Sequence, residues 1–476
     1  MFKMKLFKYF IFIIIVAMAV VNTACIEDDF TSSSSDTLTF STDTLAFDTI
    51  FTELGTPTKT FIVYNRHSKM LNISSIKLAG TSAGKFYLNI DGVKSTEFNN
   101  VEIRGNDSIY VFVEAYINPT NQNNPVEFND QLQFVTNGVT QNVVITAWGQ
   151  DVTRLRSTEI STDTHLTADR PYLVYDTLKV DKGATLTIDP GATICFHDKG
   201  TLKVDGTLLA MGTQEKPITM RGDRLDHVVG SYGYDIMSGQ WNGVDFGAES
   251  FGNEMQYVLM RGSSTGVTVD STNNVTSKKL HLFNSVLHNS SGSVLTSKFA
   301  WIEAEGCEFS DSKESVVMLY GGKVRFTQCT FANYYLFSAI DGPIIYLDDL
   351  FGGKTPSGLP VLDATFDNSI IYGNTGELNE GDLTGTNVFF RYCLLKSSGT
   401  NDANFLNCKW GGDPKFYTDR ENYIFDYRLK NKSDAIAIGS RDLCPSSASV
   451  DRYGVSRLTR DGIDLGAYTW VEATEK

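Results

Sequence analysis

Asn284-Ser285-Val286-Leu287, Gly306-Cys307-Glu308-Phe309, Gln328-Cys329-Thr330-Phe331, Asn368-Ser369-Ile370-Ile371 and Tyr392-Cys393-Leu394-Leu395 are five versions of one phrase, spaced 22, 22, 40 and 24 residues apart. Each has a hydroxyl or thiol side chain at its second place and a large apolar one at its fourth. A fixed repeat of this length marks a solenoid. About 22 residues is too short for helical hairpin repeats, which need about 33 or more, and no leucine-rich consensus is present; one coil of a parallel β-helix fits. Stacked coils set equivalent side chains about 4.8 Å apart. Ser285, Cys307, Cys329, Ser369 and Cys393 are therefore expected to line up as an internal ladder, and the 40-residue step reads as one coil plus an insertion.

The rest of the chain agrees with an all-β reading. Apolar runs last three to six residues, Val, Ile, Thr, Phe and Tyr dominate them, and 40 glycines with many Asn and Ser break them up. The formal charge of −15 argues against nucleic acid as a partner and fits solubility outside the cytoplasm.

Residues 1–24 have the parts of a secretory leader: Lys3, Lys5 and Lys8, an apolar run from Tyr9 to Val21, then Asn22-Thr23-Ala24 before Cys25. The run is shorter than the ~20 residues that span a bilayer comfortably. The segment resembles a bacterial lipoprotein signal, which implies acylation of Cys25 and a membrane anchor without a spanning helix. Asn22 departs from the aliphatic residue usual there. Ile26-Glu27-Asp28-Asp29 resembles the acidic export signal of surface-exposed lipoproteins of the Bacteroidota, and residues 25–36 read as an acidic, Ser-rich tether. The resemblance implies a lipid-anchored, outer-membrane, cell-surface location. The other six cysteines include Cys195, Cys307, Cys329 and Cys393 at apolar strand positions, which points to buried thiols, and no Cys/His cluster has zinc-ligand spacing.

Residues 37–151 carry seven alternating segments: Leu45 to Phe51, Thr60 to Tyr64, Ile73 to Leu78, Phe86 to Ile90, Ile109 to Ala115, Gln131 to Phe134 and Asn142 to Ala147. Such spacing predicts an immunoglobulin-like β-sandwich, with Asn137-Gly138 as a tight hairpin turn. Phe61 to Asn65, Asp107 to Val113, Ile117-Asn118-Pro119, Thr136-Asn137-Gly138 and Ile145-Thr146-Ala147-Trp148-Gly149 resemble the bacterial relatives of the Hydin and major-sperm-protein domains. The resemblance implies a spacer or protein-contact role.

From about 155 to 470 the order of strands and glycines, including Gly206-Thr207-Leu208, Lys216-Pro217-Ile218 and Gln240-Trp241-Asn242-Gly243-Val244, resembles right-handed parallel β-helix proteins of the pectate-lyase-like class. Asp413-Pro414-Lys415-Phe416, Tyr427-Arg428-Leu429 and Asp464-Leu465-Gly466-Ala467-Tyr468 resemble its closing coils. Two interruptions, Gly222 to Gly239 and Asp341 to Leu362, are expected to wall a groove, and their aromatics Tyr232, Tyr234, Tyr346 and Phe351 are the candidates for stacking on sugar.

The resemblance implies polysaccharide chemistry, which needs calcium-binding carboxylates with an Arg or Lys base in lyases, or two to three Asp in hydrolases. Neither set is intact. Asp348-Asp349 is the only adjacent acid pair in the solenoid, without its usual companions; Arg221, Asp223, Arg224 and Asp226 form a charged cluster that reads as local ion pairs. His197, His281 and His288 read as coil-edge residues. No dinucleotide fingerprint or phosphate loop occurs in its required context, so no cofactor or metal is expected; calcium enters only with a lyase. The sequence leaves three readings: a cell-surface binding or scaffolding role toward complex glycans without catalysis, a divergent polysaccharide lyase or glycoside hydrolase working in a groove, and adhesion to a protein partner.

Overall fold

Strands broken every few residues by residues that tolerate a left-handed backbone cannot form long flat sheets; they must turn corners. The chain does this throughout. The computed structural model describes residues 29–80, 85–229, 232–272, 276–349, 359–380 and 382–473, and among these there are strands and three short 3-10 turns but no α-helix. The chain divides into two compact units, one of residues up to Thr120 with Pro125–Gln150, the other of Asn121–Asn124 with Asp151 onward.

The first unit is a two-sheet β-sandwich. One sheet orders Thr39–Phe40, Lys59–Tyr64, Ser108–Ala115, Phe86–Ile90 and Val93–Ser95; the other orders Thr44–Phe51, Val139–Gln150, Val126–Thr136, Leu71–Leu78 and Glu97–Ile103. Alternate residues face inward, and Phe61, Phe86 and Val113 meet Ile73, Phe134 and Ile145 in one core. Asn137 and Gly138 are both left-handed, at φ 51° and 77°, and close the hairpin that pairs Thr136 with Val139.

The second unit is a parallel β-helix with three strands per coil. Taking one coil, Leu280–Phe283, Val286–Ser290 and Leu295–Lys298 each pair in parallel with the next coil's Trp301–Glu305, Glu308–Ser312 and Val317–Tyr320. Three stacks result. The strands equivalent to Val286–Ser290 form the first, those equivalent to Leu295–Lys298 the second, and those equivalent to Leu280–Phe283 the third, a sheet of ten strands. The first two stacks are joined near the amino end by Thr153–Ile160 and Tyr172–Val180, which run across both.

From Asn253–Gln256 onward, each corner from the third stack to the first is made in the same way. A left-handed residue turns the backbone: Tyr257, Asn284, Gly306, Gln328, Asn368, Tyr392 and Asn407 all have φ between 45° and 65°. The residue after it is the ladder position. Its N–H has left the sheet ladder, and the hydroxyl or thiol of the next coil accepts it: Ser285 Oγ lies 3.0 Å from Val258 N, Cys307 Sγ 3.5 Å from Ser285 N, and Ser369 Oγ 3.1 Å from Cys329 N. The same side chains donate in turn to the carbonyls of Met255, Glu305, Ala304 and Asp367. This is why small polar residues recur there. All six cysteines described are free, and burial pushes the Cys195 and Cys307 thiols up to about 12.

Inside, like residues stack on like. Phe326, Phe366, Phe390 and Phe405 file along the third stack with ring centroids 5.2, 4.6 and 5.0 Å apart. Among the buried cations, Lys279 donates to the carbonyls of Gly247, Ala248 and Asp270 at 2.8, 2.9 and 3.0 Å. Burial lowers its pKa to about 8.

Two expectations change. The interruption from Asp341 to Leu362 is not one block of insertion, because Ile345–Asp348 within it is a strand of the second stack and Asp348 pairs with Tyr320; Asp348 therefore lies on a ladder. Nor do Asp413 to Tyr468 continue the coils, which end at Lys409–Trp410. That segment makes only isolated bridges, such as Phe416 with Leu429 and Gly439 with Ile463, and lies as a strap over the outside of the first stack. The outward residues there are Ala332, Ile370 and Leu394, and apolar positions on a sheet surface need a cover. Phe416, Tyr427, Leu429 and Leu465 supply it.

Replacing Ser369 with Ala should leave the Cys329 N–H unpaired and cost about 1–3 kcal/mol in urea unfolding, whereas Ser369→Cys should cost less, because a thiol serves at neighbouring rungs. Equal losses from both would contradict the acceptor role. For Lys279 the folded pKa lies below the unfolded value of about 10.4, so between pH 8 and 10 the unfolded chain binds more protons. The wild type should therefore gain stability relative to Lys279→Met as pH rises through that window, and lose it as pH falls through 8.

Candidate functional site

Along the first stack the outward residues fall into two files. Leu259, Val286 and Glu308 form one by register, and Arg261, His288 and Ser310 the other. The first file is mixed, Leu259 and Val286 followed by Glu308 and Thr330, and the second is charged or polar from Arg261 to Ser310; further on they turn apolar at Ala332, Ile370 and Leu394, where the strap sits. At the edge of the strap, a cleft of about 490 Å³ forms between the coils, the strap and the first interruption. Its floor is Leu259, Arg261, Val286, His288 and Glu308; the strap adds Tyr423, Phe425 to Arg428, Arg452, Tyr453 and Tyr468, and the interruption adds Asp235 and Ile236.

Buried hydrogen bonds tie floor to strap. Asp311 bends the end of its strand, Glu308–Ser312, with φ 55°, a conformation Asp tolerates, and is almost fully buried. Its Oδ1 accepts Tyr334 N at 2.7 Å; its Oδ2 accepts the Tyr427 hydroxyl and lies 3.2 Å from His288 Nδ1. Ser310 donates to Glu308 Oε1 at 2.6 Å and is 3.0 Å from His288 Nδ1, while the Tyr468 hydroxyl donates to Glu308 Oε2. Burial and these carboxylates hold the Tyr427 and Tyr468 phenols well above their ordinary pKa, so both stay protonated donors. Arg457, fully buried, clips the strap by donating to Gln328 Oε1 and the carbonyls of Gly466 and Ala467. Gly466 fits between Thr330 and Ile370 at φ 86°, where a Cβ would stand 2.6 Å from Thr330 Oγ1.

The network fixes the imidazole. Because Ser310 spends its proton on Glu308, it accepts from His288 Nδ1–H, and Asp311 favours the same tautomer. Nε2 hydrogen-bonds no described residue. Ser310 and Asp311 approach the same ring nitrogen, so they do not form a serine relay, which needs opposite nitrogens. The acids of the cleft are engaged: Glu308 by two hydroxyls, Asp426 by a two-pronged contact with Arg428, and Asp235 by Arg261 at 3.4 Å. Two aromatic faces stand at the rim, Tyr453 and Tyr423, exposed by 54% and 39%.

The residues singled out in the sequence fall in different places. Tyr232 packs on Tyr423 at 4.8 Å, beside the cleft. Tyr234 is covered by Arg224 at 4.1 Å. Arg221 binds the Arg224 carbonyl at 2.8 Å, Asp223 pairs with His197 at 2.6 Å, and Arg224 pairs with Asp226; none of the four lines the cleft. Asp348 and Asp349 border a second cleft, of about 410 Å³, with Glu380 and Asp382. There Asp349 accepts Leu362 N, Asp348 accepts the Tyr346 hydroxyl at 3.2 Å, and no cluster able to hold a metal occurs among the described residues. Phe351 and Cys25 lie outside the described residues. Sequence reading missed Glu308, Asp311, Arg452, Tyr423 and Tyr453, and took His288 for a coil-edge residue. The one available signal was Arg452-Tyr453-Gly454, an aromatic and a cation beside a turn in a segment read as coil.

No protein-family model matches the chain. A stretch of 70 residues, 14% of the chain, is 41% identical to Protein bark beetle of Drosophila melanogaster, and the chain spans only 2% of that relative's length. Among solved structures, a family 123 glycoside hydrolase from Clostridium perfringens, studied for glycolipid glycan hydrolysis, is similar at TM-score 0.18 and 9% identity over 26% of each chain. The catalytic unit of the thermostable GH87 α-1,3-glucanase from Streptomyces thermodiastaticus strain HF3-3 is similar at TM-score 0.17 and 10% identity, over 74% of this chain and 86% of that one. Superpositions this slight say nothing about what this chain binds.

Gly466→Val should push the strap off Thr330 and Ile370, and Tyr427→Phe should leave Asp311 short of a buried donor. Both should lower stability, the second by about 1–3 kcal/mol in urea unfolding. Limited proteolysis should cut Gly466→Val between residues 411 and 473 while sparing the coils; cleavage spread over the coils would contradict a separately docked strap.

Proposed function

We propose that this chain is a lipid-anchored protein of the outer membrane, facing the cell surface, that binds a complex glycan in the cleft between the first stack and the strap without cleaving it. The observation that carries this is the convergence, at one edge, of exposed tyrosine faces with a floor of arginine, histidine and carboxylate. Sugars offer flat C–H faces and a fringe of hydroxyls, and such a surface meets both. Each cleft carboxylate is already held by a partner, so the paired free acid and base of a glycosidase is missing. The leader and Cys25 support the anchor, and the amino-terminal sandwich suits a spacer that carries the cleft outward.

One observation favours a second reading. His288, held at Nδ1 by Ser310 and Asp311, stands in a cleft with arginines, and a lyase needs a base of that kind to take a proton beside a carboxyl group. Incubating the full chain in detergent with a panel of acidic and neutral polysaccharides separates the two. Retention without cleavage is expected, with Tyr453→Ala weakening binding about tenfold, a loss of about 1.4 kcal/mol. Release of unsaturated ends, abolished by His288→Gln, would establish the lyase instead; absence of binding by every polysaccharide would overturn both. For the anchor, a fatty acid label should enter the wild type and not Cys25→Ser.

A further inference from the structure

Among the described residues, every cationic side chain of the cleft but one is matched. Arg261 faces Asp235 at 3.4 Å, and Arg428 grips Asp426. Arg452 is 8% exposed and lines the cleft, yet its Nη1 is sealed from solvent and hydrogen-bonds no described residue. Glu308, the acid of the neighbouring floor, gives its oxygens to the Ser310 and Tyr468 hydroxyls. A guanidinium N–H buried without an acceptor is costly, and an uncompensated buried charge more so. A water, an ion or a bound molecule can complete such a group, and Arg452 is the one that lines the cleft.

Its setting is rigid. Asp451 Oδ1 accepts the backbone N–H of Tyr453 and Val455 at 2.9 and 3.0 Å, and its Oδ2 accepts Thr469 N at 2.9 Å. Gln214 reaches from the coils to hold the Tyr453 carbonyl at 2.9 Å. The turn therefore presents Tyr453, 54% exposed with its ring stacked on Tyr468 at 5.8 Å, and Arg452 with its guanidinium carbon 5.8 Å from the centre of the Tyr453 ring. A sugar stacked on the tyrosine would reach the guanidinium with a substituent. The fork geometry of arginine fits a planar or tetrahedral oxyanion through two parallel hydrogen bonds.

We infer that Arg452 is the specificity-determining residue of the cleft, taking an anionic substituent of the glycan, a carboxylate or a sulfate ester. The inference rests on the proposed glycan cleft and adds the charge of the ligand to it. It also makes the strap, rather than the coils, the part of the molecule that reads the substituent.

Binding by the full chain in detergent is measured for a polyuronate, the same polymer with its carboxyls reduced, and a sulfated galactan beside its desulfated form. The wild type should bind at least one anionic polymer ten or more times tighter than its neutral counterpart. The carboxylate and sulfate arms show which group is taken. Arg452→Gln should reduce the preference to less than threefold by weakening binding of the anionic chain, and Arg452→Lys should restore part of it. Added salt should weaken the wild type's preference and not that of Arg452→Gln, a readout available even if one variant folds poorly. Equal binding of anionic and neutral chains by the wild type, or a preference that survives Arg452→Gln, would overturn the subsite while leaving the glycan cleft standing. Failure to bind any of the four polymers would overturn the cleft reading itself.

Discussion

A β-helix depends on satisfying the backbone groups it exposes each time it turns a corner. Here the third corner is solved with a left-handed residue followed by a hydroxyl or thiol, so that each coil's free N–H is taken by the side chain of the next. The backbone ladders set the spacing of the coils, and the small buried acceptor at each such corner keeps the coils in step, so the outward residues fall in register. The two files that floor the cleft, Leu259-Val286-Glu308 and Arg261-His288-Ser310, are consequences of that register.

The strap depends on the same floor. Apolar outward residues at Ala332, Ile370 and Leu394 call for a cover, and the buried acids Glu308 and Asp311 call for donors; Tyr468 and Tyr427 provide them. A cleft edge built this way is held by charge-assisted hydrogen bonds on both sides, which are among the stronger polar contacts available to a protein. It positions Tyr453 and Arg452 on a turn that Asp451 locks, so the binding surface is formed before any ligand arrives.

What could be read beforehand was what repeats. Ser285, Cys307, Cys329, Ser369 and Cys393 announce the coils because the same physical demand recurs every turn, and the alternation of Phe61, Val63 and Val111, Val113 announces a sheet with one buried face. The strap was not legible, since its residues answer to partners more than a hundred positions away: Tyr468 to Glu308, Tyr427 to Asp311, Arg457 to Gln328. Glu308 occupies the third place of a repeated phrase, where Val, Thr, Ile and Leu stand elsewhere, and only the fold shows that this place faces outward. Asp348-Asp349 drew notice for its adjacency, and both do border one cleft, but each has its own local partner.

The most direct test of the strap-edged cleft is hydrogen–deuterium exchange on the full chain with and without a saturating glycan. Protection confined to residues 421–430 and 451–456 of the strap and to Val258–Arg261 and Val286–Ser290 of the floor is the predicted result. Protection around Asp348 and Asp382 instead, or none at all under saturation, would contradict it.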